Sequence, residues 1–304
     1  MGDTDTVSTP AADPATIPVQ TSNADRVVPT RRISFDEAVA AVPKHFGKDG
    51  NVVVSHLIAS LSSVFPDGED FFVRSVRHYR KEITDPALKR QVNGFIGQEA
   101  MHGREHRVLN DHLAALGFRT KQGERFAKNG LAFRWKHAPK ISNLALTAAL
   151  EHFTATLAEL VMREPEIRDL IGDPTIQEIF LWHALEESEH KAVAFDVYKA
   201  VGGSERLRVW TMKVNRFGFL AGMSVQTAIS LAKDREARGR IRKDFRAVRK
   251  SPLVTRAVWR QLRDYDRPDF HPDDSNTDEI LAEWTETLFG ASGQLNDKLA
   301  GAAA

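Results

Sequence analysis

Two stretches of about thirty residues dominate what this chain can become: "DPALKRQVNGFIGQEAMHGREHRVLNDHLAALG" from Asp85 to Gly117, and "DPTIQEIFLWHALEESEHKAVAFDVYKAVGG" from Asp173 to Gly203. Both open on Asp-Pro, where aspartate can cap a helix and proline fits its first turn. Both close on glycine, the usual residue just past a helix end. No further proline interrupts either stretch, and apolar side chains return at helical spacing. Each is read as one long helix. Each also carries the same pattern at mid-length, Glu99-x-x-His102 in the first and Glu187-x-x-His190 in the second.

On a helix, positions three apart stand on adjacent turns of one face, so the carboxylate and imidazole of each pair can reach one cation. Apolar neighbours surround both pairs, Phe95, Ile96 and Met101 for the first, Leu181, Leu185 and Ala192 for the second. Charged groups are rarely buried in such company unless paired or bound to metal. Each pair also follows a helical segment with its own glutamate: Glu69 in "GEDFFVRSVRHYRKEI" and Glu151 in "LTAALEHFTATLAEL". Asp70 and Glu82 compete with Glu69 for its place. One Glu from each of two helices and a Glu-x-x-His from each of two others is the inventory of dinuclear iron or manganese bundles. His183 shares the arc of Glu187 and His190. His106, one turn beyond His102, could ligate or could support a ligand. Glu186 and Glu189 fall outside the arc and are expected in solvent, or at most behind the ligands. His152 is expected to be a packing histidine.

The remainder of the chain sets limits. With 304 residues, 42% apolar and 27% charged, it can bury a real core. A net charge of +1 gives no ground for a nucleic-acid partner. The absence of cysteine excludes thiolate metal sites, disulfides and a cysteine nucleophile. No basic-then-apolar leader opens the chain, and a cytoplasmic location is expected. Residues 1–32 read as a disordered leader, 33–290 as a single helical metal-binding domain, and 291–304 as a flexible tail. Val52 to Val64 and Pro139 to Met162 read as helices, 118–138 as a long connection or short helix, and helices continue through 204–233, 235–264 and around Trp284. No strand signal competes, so the fold class is all-α. "FGFLAGMSVQTAISLA", Phe217 to Ala232, is shorter than the roughly 20 apolar residues that span a bilayer. It is expected to be a buried core helix, with peripheral membrane contact as the rival reading.

The segments "FPDGEDFFVRSVRHY", "FIGQEAMHGREH", "ALEHFTA" and "WHALEESEHKAVAFDVY" together resemble a bacterial family labelled predicted metal-dependent hydrolase, over about residues 35–290. That resemblance implies a ferritin-like four-helix bundle, with additional C-terminal helices. The ligand pattern is also similar to di-iron enzymes of the p-aminobenzoate N-oxygenase type. By that likeness His183 becomes a seventh ligand beside Glu69, Glu99, His102, Glu151, Glu187 and His190. The likeness stops at the ligands, so no substrate carries over. The leading expectation is a site for two Fe ions (or Mn) serving an oxidase or oxygenase. Its substrate would be a small apolar organic molecule met by Phe95, Phe153 and Phe180, with an external electron donor. Hydrolysis by the same two metals is the first rival. A non-enzymatic metal-binding or membrane-associated protein is the second, and a homodimer is compatible with any of the three.

Overall fold

The computed structural model describes residues 26–300. After a short turn of helix, α1 (Asp36–Val39), come α2 (Val52–Ser62), α3 (Phe65–Tyr79) and the thirty-residue α4 (Pro86–Ala115). They are followed by α5 (Thr120–His137), α6 (Lys140–Arg163), the short α7 (Pro165–Ile171) and α8 (Pro174–His190). The last are α9 (Val193–Ala200), α10 (Glu205–Lys233), α11 (Ile241–Lys250), α12 (Arg256–Asp264) and α13 (Asp278–Phe289). Among the described residues there is no strand, only an isolated bridge between Ile33 and Leu299. The chain is an all-α bundle.

The capping signals act as the sequence suggests. Asp85 accepts a hydrogen bond from the Ala87 N–H, Asp173 accepts one from Ile176, and Gly117 takes a positive φ of 97° just beyond α4. Four helices, α3, α4, α6 and α8, pack on one another as the core of the bundle, and α10 lies across α6 and α2. Among the described residues, two large apolar clusters and a small third one around Ala158, Met162, Ala184 and Ile280 fill the interior. One large cluster contains Leu109 and Leu113 of α4 with Ile176, Ile179 and Trp182 of α8. The other contains Leu88, Val92 and Phe95 of α4 with Val193, Phe195 and Tyr198 of α9. Glu99 to His106 on α4 and His183 to His190 on α8 lie between them in sequence. The two helices therefore traverse the clusters in opposite order, and the polar stretch of each falls at the same level.

Several expectations need correction. Residues 120–137 form a full helix rather than a connection. Only Thr120 and Gly123 of it are buried, so little apolar periodicity marks it, although Lys, Arg, Gln and Ala are good helix formers. The second long segment is two helices, broken at Lys191 and Ala192, where the Lys191 ammonium donates to the Ser275 carbonyl and the Thr277 hydroxyl. Residues 235–264 are likewise two helices, parted by a tight turn at Pro252. Of the expected leader, residues 1–25 lie outside the described residues. Residues 28–30 run along α4, where a Cβ on Gly94 would stand 2.1 Å from the Val28 carbonyl oxygen and one on Gly97 2.0 Å from Thr30 Oγ1. Only glycine permits that approach. The segment 295–300 is also held, by Ser34 N–H to Lys298 O and Ala300 N–H to Arg32 O. Finally, 217–232 is not a buried core helix: one side of α10 packs inward while Phe217, Leu220, Val225 and Ile229 are exposed.

Candidate metal centre

The four core helices bring all seven sequence-selected side chains to one place. Glu69 comes from α3, Glu99 and His102 from α4, Glu151 from α6, and His183, Glu187 and His190 from α8, and every one is buried. His190 Nε2 stands 3.0 Å from Glu99, 3.4 Å from Glu151 and 3.5 Å from Glu187. His183 Nε2 is 2.8 Å from Glu187 and 3.8 Å from Glu69. His102 Nδ1 lies 3.9 Å from both Glu99 and Glu187. The competitors for Glu69 are elsewhere: Asp70 pairs with Arg107 on the surface, and Glu82 is exposed.

Behind this inner set lies a polar network. His102 Nε2 is 3.0 Å from Glu186, and His190 Nδ1 is 2.8 Å from the Gln98 amide oxygen. Gln98 in turn donates to Glu189 and to the Pro29 carbonyl. Arg31, from the extended segment on α4, donates to Glu186 at 3.1 Å and forks onto both oxygens of Glu189. Glu186 and Glu189 are thus buried, contrary to the expectation of solvent. The guanidinium pairs with both carboxylates, although burial still pushes Glu186 up to about 8. On the opposite side His183 Nδ1 meets His106 Nε2 at 2.7 Å, and His106 Nδ1 meets Ser62 Oγ, which donates to Asn110. Both nitrogens of His106 are occupied, so it supports His183 from behind. Thr154 donates to Glu187 at 2.6 Å. His152 packs as expected, against Tyr265 and Phe270 with Nε2 on the Gln261 carbonyl.

Electrostatics distinguish the carboxylates. Burial, then the neighbouring Glu99, pushes Glu69 well above the usual carboxylate range; burial and Glu151 do the same to Glu99. Glu151 is pushed up to about 7 by burial and by Glu187. Burial would raise Glu187 too, but the close imidazoles of His183 and His190 outweigh it and hold Glu187 well below that range. His190 is correspondingly held high: burial opposes its charge, but Glu151, Glu187 and Glu99 overcome it. Burial and the neighbouring His183 hold His102 and His106 well below the ordinary imidazole value.

Both oxygens of Glu69, Glu99 and Glu151, with His102 Nδ1 and His190 Nε2, are buried without any hydrogen-bond partner. Orphaned polar atoms are costly, and here they converge. Several triads bring one donor atom each within 4.8 Å of the others, among them Glu69–Glu99–His102, His102–His183–Glu187 and Glu99–Glu187–His190. The donors are oxygens and imidazole nitrogens with no thiolate, a set that divalent metals fit. A fourth group, His45, His56 and Asp234, is held together without orphans: Lys44 takes one oxygen of Asp234 and both imidazoles approach the other.

Two apolar cavities reach this cluster. The first, about 130 Å³, is bounded by His183, Glu187 and Thr154 at one side and by Leu57, Leu61, Leu157 and Phe180 elsewhere. The second, about 300 Å³, touches Glu69 and lies between α5 and α10, with Phe72, Phe153, Phe219 and Met223 in its walls. Of the three phenylalanines expected to face a substrate, Phe180 and Phe153 line these cavities. Phe95 instead packs edge-on against His190, ring centroids 5.0 Å apart.

Sequence reasoning passed over Gln98, placed Glu186, with Glu189, in solvent or at most behind the ligands, and missed Arg31. The first two had a signal, a polar residue directly before each ligand-type glutamate on a helix otherwise flanked by apolar residues. Arg31 had none, because it lies in an aperiodic segment.

Fold and site together define a helical-bundle protein with buried His/Glu clusters that could hold metal ions. The chain belongs to the family described as predicted metal-dependent hydrolase, whose model matches residues 29–276. No curated protein and no solved structure matches it.

Proposed function

We propose that the chain is a dinuclear metal enzyme acting on an apolar substrate, and that its reaction is the hydrolysis its family description names. The supporting observation is one arrangement: partnerless carboxylate and imidazole atoms cluster behind His183 and Glu187, which close one side of a cavity otherwise lined almost wholly by apolar side chains. Glu69, Glu99, His102, Glu151, His183, Glu187 and His190 would hold two ions, iron or manganese by donor type, in a bundle of ferritin-like plan. Such ions, when bound, lower the pKa of a water and clamp the oxygens of a displacement. The protein's own part is orientation and exclusion. Thr154 donates to the Glu187 carboxylate and fixes its orientation. With His183 Nε2 turned inward, its Nδ1–H donates to His106 Nε2, and the His106 Nδ1–H donates to Ser62; this order fixes both tautomers. The walls of the first cavity take an acyl or alkyl chain and keep bulk water out.

One observation favours oxidation as a second reading. Among the described residues no Lys or Arg lines the first cavity to clamp an anionic leaving group. Oxidation would need an external electron donor. The two are separated by assaying metal-reconstituted protein on p-nitrophenyl esters of increasing acyl length. Anaerobic turnover with Mn(II) or Zn(II) that rises with chain length and disappears in Glu187→Ala supports hydrolysis. Oxygen uptake that requires Fe(II) and reductant transfers the assignment to oxidation. Protein that takes up no metal defeats both.

A further inference from the structure

We propose that the face formed by α5 and α10 docks on an anionic lipid bilayer, presenting the mouth of the second cavity to it. The inference goes beyond the proposed reaction and does not depend on which chemistry the centre performs. Met212, Arg216, Met223, Thr227 and Leu231 on the inner side of α10 are buried, whereas Trp210 and Phe217 are each 63% exposed. With Val214, Leu220, Val225 and Ile229 they form an apolar stripe along the outer side of the helix. At 1.5 Å per residue the stripe from Trp210 to Ile229 is about 28 Å long. No charged residue occurs between Phe217 and Ala232. Across the cavity mouth, α5 exposes Phe126, at 78%, and Phe133, seven residues on. Large exposed aromatic side chains in one patch mark an interaction surface.

The charge around the patch identifies the occupant. Helix α5 carries Lys121, Arg125, Lys128, Arg134 and Lys136 against the single acid Glu124. Directly after the stripe, residues 233–250 contain nine Lys or Arg and three acids. Two of those acids are withdrawn from the surface. Asp234 is buried against Lys44, His45 and His56, and Asp244 accepts from the Val52 N–H. The patch is thus strongly positive in a chain of net charge +1. An apolar helix face flanked by exposed basic residues matches the interface of an anionic bilayer, where aromatic groups enter the acyl boundary and cations meet the headgroups. A second copy of the chain would bring like charges together around the same patch. A nucleic acid would leave the uncharged stripe without a partner. Docking in this orientation places the cavity that touches Glu69 against the acyl region.

Flotation of the full-length protein with vesicles tests the proposal. Binding is expected to phosphatidylcholine vesicles doped with phosphatidylserine, weaker binding to phosphatidylcholine alone, and release by high salt. The double variant Trp210→Glu with Phe217→Glu should weaken vesicle partitioning at least about tenfold while keeping the wild-type circular dichroism and metal content. Reversal of Lys128, Arg242 and Arg246 to Glu should abolish the preference for the anionic vesicles. Absence of vesicle binding, or binding unaffected by both sets of variants, overturns the proposal. So does a wild-type dimer in sedimentation that Trp210→Glu with Phe217→Glu dissociates, which would make this face a contact between copies.

Discussion

The two halves of the candidate metal centre, α3 with α4 and α6 with α8, carry the same inner residues and differ in how those residues are held. His102 turns Nδ1 inward and rests Nε2 on Glu186, a carboxylate of the other half. His190 turns Nε2 inward and rests Nδ1 on Gln98, an amide of the other half. Each half thus supplies the support for its counterpart's histidine, and Arg31 ties the supports together through Glu186 and Glu189. The second half has the additional His183, and with it the only inner carboxylate held well below its ordinary pKa. The first half relies on Glu69 and Glu99, both pushed up by burial. A repeated Glu-x-x-His pattern has therefore produced an asymmetric site, in which Glu187 alone of the four inner carboxylates is held low rather than pushed up.

Removing Glu187 should break the comparison most completely. Glu187→Ala deletes the carboxylate that lies within reach of His102, His183 and His190, so metal content should fall from two ions per chain to one or none by elemental analysis. The loss should exceed the roughly 10–100-fold effect of a residue behind the ligands. Retention of full metal in this variant would show that the inner residues are not ligands. Arg31→Met should come next, and it should strike both halves. Leaving Glu186 and Glu189 buried without their cation should cost about 3–5 kcal/mol in urea unfolding. A variant of wild-type stability would mean that solvent, not Arg31, compensates those carboxylates.

Smaller and one-sided effects should follow from the supports themselves. Glu186→Gln chiefly alters the partner of His102, while Arg31 keeps its two bonds to Glu189, and Gln98→Leu chiefly alters that of His190. Each should weaken the metal affinity of its own half about 10–100-fold, seen as one weakened step in a two-step Mn(II) titration. Equal weakening of both steps in either variant would show that the halves do not act separately.

Much of this was legible beforehand, and the exceptions have physical causes. Asp-Pro openings, glycine ends and the Glu-x-x-His spacing are local properties of one helix, so they identify α4, α8 and the inner face of the site. Helix α5 escaped because its stability does not come from a buried stripe. The break at Lys191 escaped because the lysine is held by Ser275 and Thr277, more than eighty residues along the chain. Glu186 and Glu189 looked solvated because helical geometry can say that they leave the ligand arc, but not that Arg31 waits on the other side. Gly94 and Gly97 are the local trace of that arrangement, because a side chain at either position would collide with the extended segment lying on α4.

The least dramatic consequence of the asymmetry is a pH dependence of the metal-free protein. Glu151 is pushed up to about 7, chiefly by burial and then by Glu187. A carboxyl whose pKa is higher folded than unfolded binds its proton more tightly in the fold, so ionising it draws the chain toward the unfolded state. Its contribution is therefore favourable at low pH and is lost as the pH rises from the ordinary glutamate range through about 7, at up to about 1.4 kcal/mol per pH unit. Glu69 and Glu99 act in the same direction, whereas Glu187, held low, contributes stability that is lost only as the pH falls below the ordinary range. Below about pH 6.5 the low-held His102 and His106 oppose this loss, so the Tm of chelator-treated protein should decline from about pH 6.5 to about pH 8. Added Mn(II) should flatten the decline, because bound cations favour the ionised carboxylates, and Glu151→Gln should remove its share without metal. A metal-free Tm that is level or rising over that interval would mean that the carboxylates of the two halves do not meet in a buried, mutually repelling cluster.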